Sequence, residues 1–253
     1  MRARAHLVAQ ADGRGGTRPA VLRGESPLLL RRTGPRGGDL TVHLVGGAAG
    51  PLRGDDLRLD LEVGPGARLT VHSVAAQLAL PGRPGLPASR LEIHATVAAG
   101  GTLLWAPEPL IAAAGCDHQA VTTVTVDDGG TLLWRDDLVC GRHAEPAGSA
   151  RAGTLVRYAG RTLYRHELTV GPAAPGWSGA VVLGGGRAVG TLVMVGQTQT
   201  GPTQTGPILL GGDAVLMPLA GPGSLATAVG PDIRTVRAAL DPLCVLPRAR
   251  QPV

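Results

Sequence analysis

Gly100-Gly-Thr-Leu-Leu-Trp105 returns 29 residues later as Gly129-Gly-Thr-Leu-Leu-Trp134. Each copy reads as a tight turn feeding a short apolar strand. Ala98–Gly101 and Asp127–Gly130 carry the turn chemistry: Gly accepts positive φ, and Asp bonds to nearby backbone. Both turns are entered from alternating text, Leu91-Glu-Ile-His-Ala-Thr-Val97 in one case and Ala120-Val-Thr-Thr-Val-Thr-Val126 in the other. Alternation of period two marks half-buried strands.

The same unit extends outward in both directions. Leu57-Arg-Leu-Asp-Leu-Glu-Val63 puts four apolar residues on one face, Gly64-Pro-Gly66 ends it, and Ala67–His72 starts the next strand. A weaker copy runs Thr154–Tyr158, Ala159-Gly160, Arg161–Val170. A strand–turn–strand unit repeating at roughly 30 residues predicts a mostly β chain of stacked strands, a β-helix or solenoid. An antiparallel sandwich with similar hairpins stays open on the repeat alone. Trp105 and Trp134 are expected at equivalent places in successive layers.

Helix text is confined to the C-terminal part. Pro231-Asp-Ile-Arg-Thr-Val-Arg-Ala-Ala-Leu240 places Ile233, Val236 and Leu240 on one face, with Asp232 in the first turn. A shorter helix is expected over Ser224–Val229 with Ser224 as its cap. Residues 197–207 hold Thr-Gln-Thr-Gly-Pro in tandem and are expected to form a flexible loop, and residues 247–253 a frayed tail. The whole of 1–253 is read as one domain.

Composition narrows the functional classes. The 253 residues include 39 Gly and 21 Pro but no Phe, Lys or Asn, and the only aromatics are three Trp and two Tyr. The core must therefore be Leu, Val, Ile and Ala. The net charge of +5 is carried entirely by Arg. Those arginines are dispersed and lack interleaved aromatics, so no nucleic-acid partner is expected. The three Cys have neither metal nor redox spacing. Met1–Gln10 has no apolar run of a signal peptide, and the uncharged stretches are too rich in Gly, Pro, Gln and Thr for membrane spans, so a cytoplasmic protein is expected.

Catalytic signatures are absent: no G-x-S-x-G, Walker loop, H-E-x-x-H or C-x-x-C occurs. No two of the seven His lie at helical metal spacing, and most sit in strand text, where a surface or hydrogen-bonded role outweighs metal ligation. Cys116-Asp117-His118 is the one compact soft-ligand cluster, and a turn between repeats explains it equally well. Acids recur at the strand connections, at Asp55-Asp56, Glu108, Asp127-Asp128, Asp136-Asp137, Glu145 and Glu167. Paired carboxylates would suit a β-solenoid carbohydrate-active enzyme, although sugar sites want more aromatics than this chain owns.

Several stretches, read in order, resemble the UreD (UreH) urease accessory family. They are Pro27–Thr33, Leu44–Asp55, Val63–Leu69, Leu104-Trp-Ala-Pro-Glu-Pro-Leu-Ile111 with Ala114-Gly115, Leu138-Val-Cys-Gly-Arg142, Val189–Gly196 and Met217–Gly223. The likeness implies a β-helical fold with one or two short C-terminal helices. It implies a scaffold without catalysis of its own, joined to UreF, to the GTPase UreG through UreF, and to apo-urease, and assisting nickel delivery to the urease active site. No tightly bound cofactor is implied. Nickel would be cargo in transit, and an internal channel has been proposed for it in the family. On the matched motifs, Asp55 and Glu108 are the expected nickel path, with Asp137 added to the acidic line on its chemistry, and Arg142 is an interface anchor or a bidentate structural clamp. Two places depart from the family pattern: His72–Leu80, and Ala147 where a Glu is expected.

Overall fold

The computed structural model describes residues 1–35, 37–196 and 206–246. The expectation for the 247–253 tail, and that for most of the 197–207 loop, lie outside the described residues. The chain opens with an antiparallel hairpin of β1 (Arg2–Ala11) and β2 (Thr17–Gly24), followed by β3 (Leu28–Arg32) and β4 (Leu40–Gly46). From there it winds. The first turn of the solenoid is β5 (Asp56–Val63), β6 (Arg68–Ser73) and β7 (Gln77–Ala79). The second is β8 (Ser89–Val97), β9 (Thr102–Trp105) and β10 (Leu110–Ala112). The third is β11 (Asp117–Val126) with β12 (Thr131–Val139), whose far end covers the third side. Equivalent strands of successive turns pair in parallel.

Two sheets result. The seven-stranded sheet A has the order β14-β13-β11-β8-β5-β1-β2, where β13 (Ser149–Tyr158) and β14 (Arg161–Val170) form a closing hairpin. The eleven-stranded sheet B is extended past β12 by antiparallel β15 (Ala188–Val195), and then by β16 (Ile208–Leu209), β17 (Asp213–Pro218) and β18 (Gly223–Gly230). The parallel stacking decides for the solenoid over the sandwich.

The twin hexapeptide does what its chemistry predicts. Gly101 N–H donates to the Ala98 carbonyl at 2.8 Å and Gly130 N–H to the Asp127 carbonyl at 2.9 Å, closing the same turn twice. Gly100 and Gly129 have φ of 72° and 78°, and Gly100 N–H donates to the Gly129 carbonyl, so one turn stacks on the next. Positive φ costs an L side chain about 1–2 kcal/mol. Gly129→Ala is therefore expected to lower unfolding stability by about that amount with the fold retained, measurable by urea denaturation. Downstream of the turns, Trp105 and Trp134 are register partners whose rings stack at 4.9 Å and 11°.

One sequence expectation is corrected. Ser224–Val229 is not a helix but lies within β18, paired on one side with β15 and on the other with β17. Ser224, Ala226 and Ala228 are buried while their neighbours are half-exposed, a period of two. Sheet pairing overrides the helix preference of Ala here. The single α-helix among the described residues, α1 (Ile233–Leu240), begins two residues later than expected. Asp232 is its cap and not part of its first turn, accepting from Thr235 N–H at 2.9 Å. Val236 and Leu240 seat it on the outside of sheet B against Leu133, Leu192 and Ala228.

Candidate functional site

Inside the solenoid, between the sheets, lies a cavity of about 420 Å³. Its walls come from every turn: Leu28 and Leu44 at one end, Leu57 and Leu91 along the middle, His166 and Thr191 at the other. It borders both interior apolar clusters, one built from the Leu and Val of β5, β8 and β9, the other from Ala79, Cys140 and Val170. A void running along a solenoid axis needs no special loop. It arises where the stacked side chains of opposite walls are too short to meet, and this chain owns no Phe to fill the gap.

The polar groups on this wall are few. Asp136 is the acid that faces inward. Its carboxylate accepts from Trp134 Nε1 at 2.8 Å and from Thr154 Oγ1 at 3.1 Å. Trp105 Nε1 adds a weaker pull without a hydrogen bond of its own. Burial pushes the Asp136 carboxyl up to about 6 against those donors. Tyr164 and His166 share this part of the wall, and burial raises the first and lowers the second.

Glu108 also lines the cavity, with its Oε2 2.6 Å from Arg237 Nη2 on α1 and its backbone N–H on Ser73 Oγ. Asp137 touches the cavity too, but its carboxylate lies on the outer side of sheet B beneath α1. There Arg135 Nε sits 3.1 Å from both its oxygens, and Nη2 3.0 Å from one. Asp55 is elsewhere. It is buried, accepts from the Met1 amine at 2.7 Å and from Leu52 N–H at 2.9 Å, and is not a cavity-lining residue. The expected acids are thus divided: Glu108 and Asp137 lie at the cavity, and Asp55 clamps the start of the chain.

Arg142 is exposed and grips Glu145 with a two-pronged contact of 2.8 and 2.9 Å. That guanidinium holds the Glu145 carboxyl down to about 2. Arg187 ties the same loop from behind by donating to the carbonyls of Cys140 and Glu145. The Cys116-Asp117-His118 cluster comes apart. Asp117 pairs with Arg53 at 2.9 Å, while Cys116 and His118 are buried, His118 Nδ1 lying 2.9 Å from Ser89 Oγ. Burial holds the His118 ring down to about 4 and the Cys116 thiol up to about 11.

The sequence reading counted Asp136 among the recurring acids but did not select it. Adjacent strand residues point to opposite faces, and the inward parity of Leu132 and Trp134 already assigned Asp136 to the interior. The same alternation separates Asp136 from Asp137, so this pair cannot flank one glycosidic bond. Among the described residues no group of three or more His, Cys, Asp and Glu is arranged to hold a metal ion. No helix among them is long and apolar enough to cross a membrane.

Fold and cavity together define a β-solenoid with an axial void, sparse inward carboxylates and a helix tied across the outside of one sheet. Comparison with known proteins narrows that class. The family model described as UreD urease accessory protein matches residues 1–252. The urease accessory protein UreD 3 of Streptomyces griseus is 44% identical over 244 residues, covering 95% of each chain. The UreD of Streptomyces avermitilis is 44% identical over 242 residues with the same coverage. That of Frankia alni is 41% identical over 277 residues, covering 96% of this chain and 92% of its own. The chain belongs to the UreD urease accessory protein family.

Proposed function

We propose that this chain is a urease maturation scaffold. Acting as one unit inside the cell and without catalysis of its own, it binds apo-urease and UreF, with UreG joined through UreF, and assists nickel on its way to the urease active site. The observation that carries the nickel part is the axial cavity, whose walls come from every turn of the solenoid and present Glu108 and Asp136. Sparse oxygen donors, here a Glu108 shared with Arg237 and an Asp136 held by Trp134 and Thr154, suit passage: they attract a divalent cation yet release it, where a closed set of soft ligands would retain it. Asp137 supports the path from outside, as a partner of Arg135, and we assign Asp55 a clamping role instead. Arg142, exposed on its loop, is the proposed interface anchor.

The test is co-expression of the tagged chain with UreF, UreG and apo-urease at moderate salt. Co-elution with UreF and urease is expected; a folded, soluble chain that recovers neither would overturn the scaffold reading. In the same system Glu108→Gln should leave the complex intact and lower urease activation severalfold at limiting nickel. Unchanged activation would remove Glu108 from the path.

A further inference from the structure

We propose that His43 and His72 form a two-imidazole binding site for a borderline first-row divalent cation, of the nickel, cobalt or zinc class, on the outer face of sheet B. The two residues are register partners on adjacent parallel strands β4 and β6. Both side chains are half-buried, and their ring centroids lie 5.5 Å apart at 41°. What sets them apart from an ordinary histidine pair is how they are anchored.

His72 Nδ1 lies 2.9 Å from the carbonyl oxygen of Ala106, just past β9. A carbonyl only accepts, so Nδ1 carries the proton and Nε2 keeps its lone pair. His43 Nδ1 lies 2.7 Å from Thr33 Oγ1, just past β3. The strand order here is β9-β6-β4-β3. Each ring is therefore pulled by its Nδ1 toward the strand outside the pair, which turns its Nε2 edge toward the gap between the two rings. Fixing a metal-binding imidazole through a hydrogen bond from its other nitrogen to a carbonyl is the ordinary device for presenting that lone pair.

The spacing agrees. With metal–nitrogen distances of about 2.1 Å, each ring centre stands roughly 3.2 Å from the ion, and tetrahedral or cis-octahedral ligands put the two centres about 4.5–5.2 Å apart. The observed 5.5 Å needs a shift of a few tenths of an ångström. Neither Nε2 has a hydrogen-bond partner among the described residues. Arg31, across from His43 on β3, is the nearest-register cation, and it turns Nη1 toward the Leu30 carbonyl. Two protein ligands leave the other coordination positions to water, so the site is exchangeable, not structural.

Its position gives it a use. The next residues along the two strands, Leu44 and Val45 after His43, and Ser73 and Val74 after His72, line the cavity. By strand alternation Leu44 and Ser73 face the cavity from the other side of the sheet, so a cation held here sits across β4 and β6 from it, near the strand ends where Val45 and Val74 also line it. The binding claim stands by itself; hand-off into the cavity rests on the nickel-passage reading above.

The experiment is Ni²⁺ titration of the full chain by calorimetry, without urease or other partners. One site per chain is expected, weakened at least tenfold by His72→Gln and by His43→Gln, and unchanged by His94→Gln on the other sheet. Thr33→Val, which removes only the Nδ1 anchor of His43, should weaken it about tenfold. Independently of any variant, Ni²⁺ should protect His43 and His72 from carbethoxylation by diethyl pyrocarbonate, read by peptide mass spectrometry. Absence of binding, binding that survives the double variant, or failure to protect these two rings would each overturn the site. Because urease is not in the assay, that result is distinct from failure of nickel delivery.

Discussion

The Arg135→Met variant will lose about 3–5 kcal/mol of unfolding stability, because it strands a carboxylate that water cannot reach. The Arg135 and Asp137 side chains are 6% and 1% exposed. Arg135 also reaches Asp241, just past α1, so one guanidinium serves two acids and ties the helix to the sheet. Burial pushes the Asp137 carboxyl up, and Arg135 is the main force opposing it. Against a total stability of about 5–15 kcal/mol the loss is large. The double variant Arg135→Met/Asp137→Asn should recover most of it, since no buried charge is then left unpaired. Urea unfolding of wild type, single and double variants checks this. A single variant within about 1 kcal/mol of wild type would mean that α1 lifts and lets water reach Asp137.

That network also explains what the sequence could and could not tell. The solenoid was legible because its signals are local. Leu57–Val63 and Leu91–Val97 alternate, Gly66, Gly100 and Gly129 all take positive φ at the same point of successive turns, and both Trp residues follow at one spacing. The site was only partly legible. Glu108 was found through its motif, and it does line the cavity. Asp55 was found in the same way, yet a motif does not say which partner its carboxylate meets, and here that partner is the Met1 amine. Asp137 was chosen over Asp136, and the directions of the two carboxylates depend on parity, which was readable, and on α1, which was not. Only the folded chain shows that a helix more than ninety residues downstream covers the outer face and makes Asp137 a structural ion-pair partner. Ser224–Val229 failed for a related reason: its Ala content favours helix locally, and although β17 pairs with it across a short turn, the strand on its other side, β15, lies well upstream.

Asp136 then presents a contradiction that function resolves. A carboxylate held among Trp134, Trp105 and Tyr164 inside a solenoid is costly, and three polar neighbours do not cancel the cost of burial. A neutral side chain of the same shape would serve the fold better. Perturbed acids of this kind gather at functional sites, where stability is given up for chemistry.

Asp136→Asn should therefore move two readouts in opposite directions. The folded carboxyl titrates near 6, above its ordinary value of 3.8, so folding favours the protonated form. The stability from that proton is fully present below about pH 4 and is lost as pH rises through 6. Above that range the ionised group costs on the order of 2–3 kcal/mol, which Asn does not. The stability difference between variant and wild type should thus grow from near zero at pH 4 to that size at pH 7, with Asn keeping an acceptor for Trp134 Nε1. In the co-expression system the same variant should assemble normally yet activate urease poorly at limiting nickel, because the cavity has lost one of its two proposed path carboxylates. A variant less stable than wild type at pH 7 would show that the carboxylate is a structural acceptor. A variant that is more stable and fully active would mean that nickel does not pass Asp136.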